Sequence, residues 1–388
     1  MMKRIVRFVV MLASLALLYT GYRVAAHNGW IIVTRGQRSF DLGTEPAFRL
    51  NDGRLSILVV GDTGEQSRNR QQVAAAMAAH AGWSSPNAAF LLGDNFYEQG
   101  VASVDDARFD QDFEQLFPAD CFRCPFYVCL GNHDYQGNVQ AQVDYTQHSE
   151  RWKMPERYYR TRLSSADVTV DVFVVDTVAI HLNHASTGQQ LRWLEENLLG
   201  SEADWQFVLG HHPILTGGKH EPSPQVARLL APIFRQCGVD LYLSGHDHDL
   251  QLSDSGDGWW QVVSGAGSKL RSTSWIEQTV FARAAPGFCW LLIEPARLHV
   301  SFYSPNDRLF STSILRSPSN ASSPDSRLGT HCRAGSASGR RIASLPLRIA
   351  PPSPTRQDFP PRSQAPAWER TASLALPANA ALQASPFE

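Results

Sequence analysis

The chain has 388 residues, of which 43% are apolar and 19% charged, with a formal net charge of −2. That composition is enough to build a core, and the near-zero charge excludes a general attraction to nucleic acid. The length allows two domains, or one α/β domain of about 250–300 residues with tails.

Residues 1–26 read as a targeting segment. Lys3, Arg4 and Arg7 supply a basic start. The apolar run that follows, residues 8–19, is short for a bilayer span of about 20 residues. Val24-Ala25-Ala26 offers a small-residue cleavage site, with Arg23 an imperfect neighbour. A cleaved export signal is the preferred reading, and an uncleaved N-terminal anchor competes with it. Both place the body of the protein outside the cytosol, periplasmic or secreted.

Residues 27–54 form a lead-in of loops, with a candidate strand at 30–34. Residues 55–60 are a continuous apolar run, hence a buried strand ending in Gly61-Asp62-Thr63-Gly64. A helix is expected over 69–80, and a second strand over 88–92 that ends at Asp94. The spacing of Phe109, Phe113 and Leu116 predicts a helix over 106–116. A third strand over 125–130 ends in Gly131-Asn132-His133-Asp134. Residues 135–165 read as a polar and aromatic loop over the site. A strand follows at 168–175, then a helix at 188–199 with Leu191, Leu194 and Leu198 as its apolar stripe. Residues 207–209 form a strand ending in Gly210-His211-His212-Pro213. A helix over 225–236 leads to a strand over 239–243 that ends in Ser244-Gly245-His246-Asp247-His248. Strands at 260–263, 288–294 and 298–303 close the domain. Alternating strands and helices, then strands alone, predict an α/β sandwich of mixed sheets over 55–315. Residues 316–388, rich in Ser, Pro, Ala and Arg, read as a disordered tail.

Six cysteines are present, Cys121, Cys124, Cys129, Cys237, Cys289 and Cys332. No second CxxC answers Cys121-x-x-Cys124, which argues against a zinc ribbon. In an exported protein one or two short disulfides are expected, with the pairing open.

Candidate metal ligands stand at five strand ends: Asp62, Asp94 with Tyr97, Asn132, His211, and His246 with His248. The carboxyl ends of strands in α/β sheets converge on the ligand crevice. A glycine precedes the first ligand at each strand end, at 61, 93, 131, 210 and 245, and would let the backbone turn sharply there. A carboxylate such as Asp94 can bridge two cations, and a phenolate such as Tyr97 suits ferric iron better than zinc. Asp134 and Asp247 read as orienters of nearby imidazoles or loops. Asp176 reads as structural, Lys219 as a solvated lysine, and Trp259-Trp260 as core or rim. His80, His148, His181, His184, His299 and His331 read as structural or surface residues.

The series Gly-Asp-x-Gly, Gly93-Asp94-Asn95-Phe96-Tyr97, Gly131-Asn132-His133-Asp134-Tyr135, Gly-His and Gly245-His246-Asp247-His248 resembles the metallophosphoesterases. Within them it is similar to purple acid phosphatases of the small, tartrate-resistant type. The resemblance covers about 55–303 and implies a four-layer α/β/β/α arrangement of mixed sheets flanked by helices. It implies that Asp62, Tyr97 and His248 hold Fe(III), with Asp94 shared. Asn132, His211 and His246 would complete a second ion, Fe(II), Zn(II) or Mn(II). His133 and His220 would stand near the substrate as catalytic groups. His220, in Thr216-Gly217-Gly218-Lys219-His220, is aligned by spacing alone. Thr63 and His212 depart from the Trp and Tyr usual in the small enzymes, and neither is a ligand position. The stretch 178–188 is short, so control by cutting a long loop there is not expected.

The expected function is an exported acid phosphatase that hydrolyses small phosphate monoesters by attack of metal-bound hydroxide. Two cations about 3.5–4 Å apart would clamp the phosphate. Competing readings are a phosphodiesterase or nucleotidase with the same centre, and a non-catalytic iron- or phosphate-binding protein. No nucleic-acid partner is expected. A membrane is a partner only if residues 1–26 remain as an anchor, and a monomer is favoured.

Overall fold

A computed structural model of the protein describes residues 53–316, except 221. The readings on residues 1–52 and 317–388 lie outside the described residues. These include the targeting segment, His331, Cys332 and nearly all of the tail.

In chain order the first half runs β1 (Leu55–Val60), α1 (Arg68–Ser84), β2 (Ala88–Leu91), β3 (Phe126–Val128), α2 (Val139–Asp144), β4 (Trp152–Lys153), β5 (Tyr159–Ser164) and β6 (Thr169–Val174). Then come α3 (Thr177–His181), α4 (Thr187–Leu199), β7 (Trp205–Leu209), α5 (Pro224–Cys237) and β8 (Leu241–Ser244). Six strands follow without an intervening helix: β9 (Leu250–Asp254), β10 (Trp260–Ser264), β11 (Thr279–Arg283), β12 (Phe288–Ile293), β13 (Arg297–Tyr303) and β14 (Arg308–Leu315).

These strands form two seven-stranded sheets, ordered β14-β13-β12-β1-β2-β3-β4 and β11-β9-β10-β8-β7-β6-β5. In the first sheet β1 to β4 run parallel, and β12 pairs antiparallel with β1. In the second, β6, β7, β8 and β10 run parallel, with β5 and β9 antiparallel beside them. Both sheets are therefore mixed, and helices flank them.

The period-2 alternation of side chains shows where the core lies. Val170, Val172 and Val174 of β6, Phe207 and Leu209 of β7, and Leu241 and Leu243 of β8 join one large cluster with β1 and β2. Their neighbours Phe173, Val208 and Tyr242 face the opposite way, into a second cluster with Leu194 and Leu198 of α4 and Leu230 and Phe234 of α5. Each such large apolar side chain contributes about 1.5–3 kcal/mol when fully buried.

Hydroxyl side chains cap the starts of α1 and α5. The Ser67 side chain accepts from Arg70 N at the start of α1. Ser223 accepts from Val226 N at the start of α5, which has Pro224 in its first turn and stops at left-handed Gly238.

Three expectations are corrected. Residues 135–165 are not one loop: they hold α2, β4 and β5, which extend both sheets. Polar residues on the exposed face of edge strand β5 mask its pattern. The helix expected at 106–116 is reduced to a short turn with a π-type core, Asp110–Glu114, although Phe109 and Phe113 are buried as the spacing requires. No disulfide joins the five described cysteines. Cys124, Cys129, Cys237 and Cys289 are buried in the packing, and burial raises the Cys124 thiol to about 11. They act there as small apolar side chains. Trp259 and Trp260 are buried, as core residues.

Candidate metal centre

The carboxyl ends of β1, β2 and β3 in one sheet and of β7 and β8 in the other deliver all seven candidate ligands to one place. Three of these residues adopt left-handed backbone: Asp62 (φ 57°), Asp94 (φ 52°) and His246 (φ 68°). Such conformations cost an ordinary residue about 1–2 kcal/mol, and cluster where function holds them. The glycines were expected to make these turns, yet of the five only Gly93 is left-handed (φ 84°). The others act mainly by leaving room. A Cβ at Gly131 would lie 2.1 Å from Asp94 Oδ1, and one at Gly245 would lie 2.4 Å from Asp62 Oδ2.

Tyr97 stands on one side of the centre. Its hydroxyl donates to Asp94 Oδ2 at 2.7 Å and lies 3.2 Å from Asp62 Oδ1 and 3.4 Å from His248 Nε2. His248 Nε2 is 3.5 Å from Asp62 Oδ1. Asn132 stands on the other side. His211 Nε2 and His246 Nδ1 each lie 3.1 Å from Asn132 Oδ1, and 3.2 Å from one another. Asp94 lies between the two groups, with Oδ2 toward Tyr97 and Oδ1 3.5 Å from His211 Nε2.

Several donors are fixed from behind. His211 Nδ1 donates to the Leu92 carbonyl at 2.9 Å, so its Nε2 lone pair faces the centre. Asp62 Oδ2 accepts from His246 N at 2.9 Å, which leaves Oδ1 for the centre. Asp134 ties the ligand-bearing loops after β2 and β3 together: it accepts from Asn95 N at 3.1 Å and from Gly131 N at 2.8 Å. Asp134 thus orients loops rather than an imidazole.

The electrostatics suit cations. Burial, then the Asp94 charge, holds the Asp62 carboxyl well above its ordinary range. Burial, then the Asp62 and Asp94 charges, does the same to the Tyr97 phenol. Burial pushes the His246 and His248 imidazoles far down, so they are neutral and able to ligate. A positive ion among these groups would offset the costs that now act on the Asp62 carboxyl and the Tyr97 phenol. Donors about 2.0–2.2 Å from one ion, and at right angles to each other, lie about 3 Å apart. The spacing within each group is close to that. One oxygen or nitrogen from each of Asp62, Asp94 and His211 lies within 4.8 Å of the others. The residues present therefore fit a pair of metal ions.

The two candidate catalytic histidines lie at the edge of this cluster. His133 Nε2 is 4.0 Å from Asp94 Oδ2, while its Nδ1 donates to the Glu98 carbonyl at 2.5 Å. The His220 ring is centred 4.6 Å from that of His246 and 5.7 Å from that of His248. Asp247 holds the His220 loop: it accepts from His220 N at 2.9 Å and from the Thr216 hydroxyl. Asp176 caps α3 through Ala179 N and pairs with Arg157.

Other residues near the centre were not singled out from the sequence. Thr177 Oγ1 accepts from His211 N and His212 N, each at 3.1 Å. His181, expected to be structural or at the surface, stacks on His212 at 5.1 Å, and His212 is 4.6 Å from His246. The segment after β10 also lies against the cluster, through Ser268 and Lys269. No motif marks those two residues, because they meet the ligands only through the fold.

Among the described residues no helix is long and apolar enough to cross a membrane. The sequence matches the family described as Calcineurin-like phosphoesterase over residues 55–250. It is 34% identical over 255 residues to Tartrate-resistant acid phosphatase type 5 of Mus musculus, covering 58% of this chain and 78% of that one. Purple acid phosphatase 17 of Arabidopsis thaliana is 32% identical over 279 residues, covering 66% and 78%. The solved structure titled "GAP50 the anchor in the inner membrane complex of Plasmodium" superposes with a TM-score of 0.64 at 22% identity, covering 69% of this chain and 90% of that one. At that identity the likeness concerns the fold.

Proposed function

The chain belongs to the calcineurin-like phosphoesterase family, and from that premise we propose an exported, binuclear-metal acid phosphatase that hydrolyses small phosphate monoesters. The relatives named as acid phosphatases support the reaction class. The observation that carries the reading is the place of Asp94, between a group with Tyr97, Asp62 and His248 and a group with Asn132, His211 and His246. Export rests on the basic and apolar pattern of residues 1–26.

In this reading Asp62, Asp94, Tyr97 and His248 hold Fe(III), and Asp94, Asn132, His211 and His246 hold Fe(II), Zn(II) or Mn(II). A phenolate with two carboxylates suits a trivalent ion, and an amide with two imidazoles a divalent one. Such a pair supplies positive charge for the phosphate and an acidified water as nucleophile. The chain's own groups do the rest. His133 is steered by its Nδ1 bond to Glu98, so that Nε2 faces the centre and can carry a proton there. His220 is held by its backbone on Asp247. Burial, then the Arg271 charge, keeps the His220 imidazole below its ordinary range. An arriving phosphate dianion would raise it, so that His220 can give a proton to the leaving alkoxide. Such proton transfer contributes about 10²–10⁴-fold.

Metal analysis with a visible spectrum tests the centre. Wild type should show a phenolate-to-iron band that Tyr97→Phe abolishes while the fold survives. A colourless, zinc-only, active protein would refute the iron assignment. Turnover of an aryl phosphate monoester against its bis-ester tests the substrate class. A faster bis-ester would favour the phosphodiesterase reading.

A further inference from the structure

The segment 265–271, which follows β10, carries none of the candidate ligands, yet it backs the Tyr97 side of the centre. Gly267 N donates to the Gly61 carbonyl at 3.2 Å, and Arg271 N to the His248 carbonyl at 3.0 Å. The Ser268 hydroxyl donates to the Asp62 carbonyl. From this segment the Lys269 ammonium reaches to 4.6 Å from the centroid of the Tyr97 ring. Two carboxylates hold it there, Glu65 Oε2 at 2.8 Å and Glu98 Oε1 at 3.3 Å. Glu65 lies three residues after Asp62, and Glu98 is the residue after Tyr97. The three side chains therefore join the loops after β1, β2 and β10.

An ion pair with exposed partners contributes little to stability, and Glu98 is largely exposed, at 73%. The place of Lys269 is better explained by what its charge faces. A cation over an aromatic ring acts on the ring's π-electrons through a region of low dielectric. Two negative groups, Asp62 and Asp94, already face the hydroxyl end of the same ring, and the His133 ring packs at 4.2 Å from it. Lys269 sets a positive charge against that same ring.

We propose that Lys269 is a positioning residue for Tyr97: it fixes the phenol ring over the centre and lowers the energy of the ring electrons that a ferric ion would draw on. The proposal rests on the reading of Tyr97 as an iron ligand. Its sign does not depend on Glu65 and Glu98, because removing Lys269 always makes the field at the ring more negative by one charge. The ring electrons then rise in energy, the phenolate-to-iron band moves to longer wavelength, and Fe(III) is favoured over Fe(II).

The test compares wild type, Lys269→Met and Lys269→Arg, each loaded with iron, by visible spectrum and by midpoint potential. At this distance and an effective dielectric of about 20, Lys269→Met should shift the band by about 10–30 nm to longer wavelength. Its potential should become more negative. Lys269→Arg keeps the charge and can lie on the ring, so its band should stay within about 5 nm of wild type. A coloured wild type whose band Lys269→Met leaves in place would overturn this inference alone. Equal shifts in both variants would also overturn it, because they would report lost packing rather than lost charge. An iron-loaded but colourless wild type would overturn the Tyr97 reading, and this inference with it.

Discussion

Asp94 sits between the two groups of candidate ligands, and His220 lies at their edge. Both oxygens of Asp94 are engaged, one toward Tyr97 and one toward His211. Asp94→Ala should therefore remove both metals, as measured by metal content per chain, and loss of one alone would mean that the carboxylate does not bridge. The proposed reaction gives His220 a different role, next to the leaving group. His220→Ala should slow esters with poor leaving groups by about 10²–10⁴-fold and good ones much less. Equal slowing across a series of leaving groups would argue against acid catalysis. The candidate ligands were legible because five of them directly follow a glycine at the end of an apolar run, and Tyr97 and His248 lie within three residues of one of those five. Thr177, His181 and Lys269 were not. They reach the centre through contacts distant in the chain, His181 only by way of His212, and their local sequence carries no mark of it.

At the level of elements, strand ends and their glycines set the site. Gly131 has no space for a methyl group, because its Cβ would lie 2.2 Å from Asp94 N and 2.1 Å from Asp94 Oδ1. Gly131→Ala should displace the Asp94 loop, destabilise the fold by about 1–3 kcal/mol and weaken metal binding. Denaturant melts and metal titration would measure both, and unchanged metal affinity would contradict the close-approach account. Helix α1 makes a different prediction. Its His80 is packed among the rings of Trp83, Phe288, Trp290 and Tyr303, at 4.2–5.5 Å between centroids. Burial lowers its pKa from 6.5 to about 3. The unfolded chain then takes up this proton near pH 6.5 and the folded one only near pH 3. Stability from this group is full above about pH 6.5 and falls as pH drops toward 3, by at most about 1.4 kcal/mol per pH unit. His80→Leu should flatten that part of the stability profile, and an unchanged slope would refute it. The long apolar strands and the helices with a clear stripe, α4 and α5, were readable from periodicity. Strands β4, β5, β9, β11 and β14 were not, being short or interrupted by polar residues.

Considered as a whole, the sandwich was legible in its class, because helices are interspersed among the strands up to β8 and strands alone follow. The split into two sheets was not, since pairing partners such as β1 and β12 lie more than 200 residues apart. Bound ions should stabilise the folded state as any ligand specific to it does, by about 2.7 kcal/mol at 100 times the dissociation constant. Chelation should therefore lower the melting temperature, and excess metal should restore it. An unchanged melting temperature after verified metal removal would count against a centre that braces the fold.

That the seven donors come from both sheets has one more consequence. Asp62, Asp94, Tyr97 and Asn132 ride on one sheet and His211, His246 and His248 on the other, while Phe90, Phe207, Leu209 and Leu243 fill the layer between. The greasy filling thus works as a shim. Its thickness sets how far apart the two halves of the cage stand, and a tightly packed interior passes small displacements on. Ion preference in this protein would then be adjustable from deep in the sandwich, by changing a filler side chain that never meets a metal.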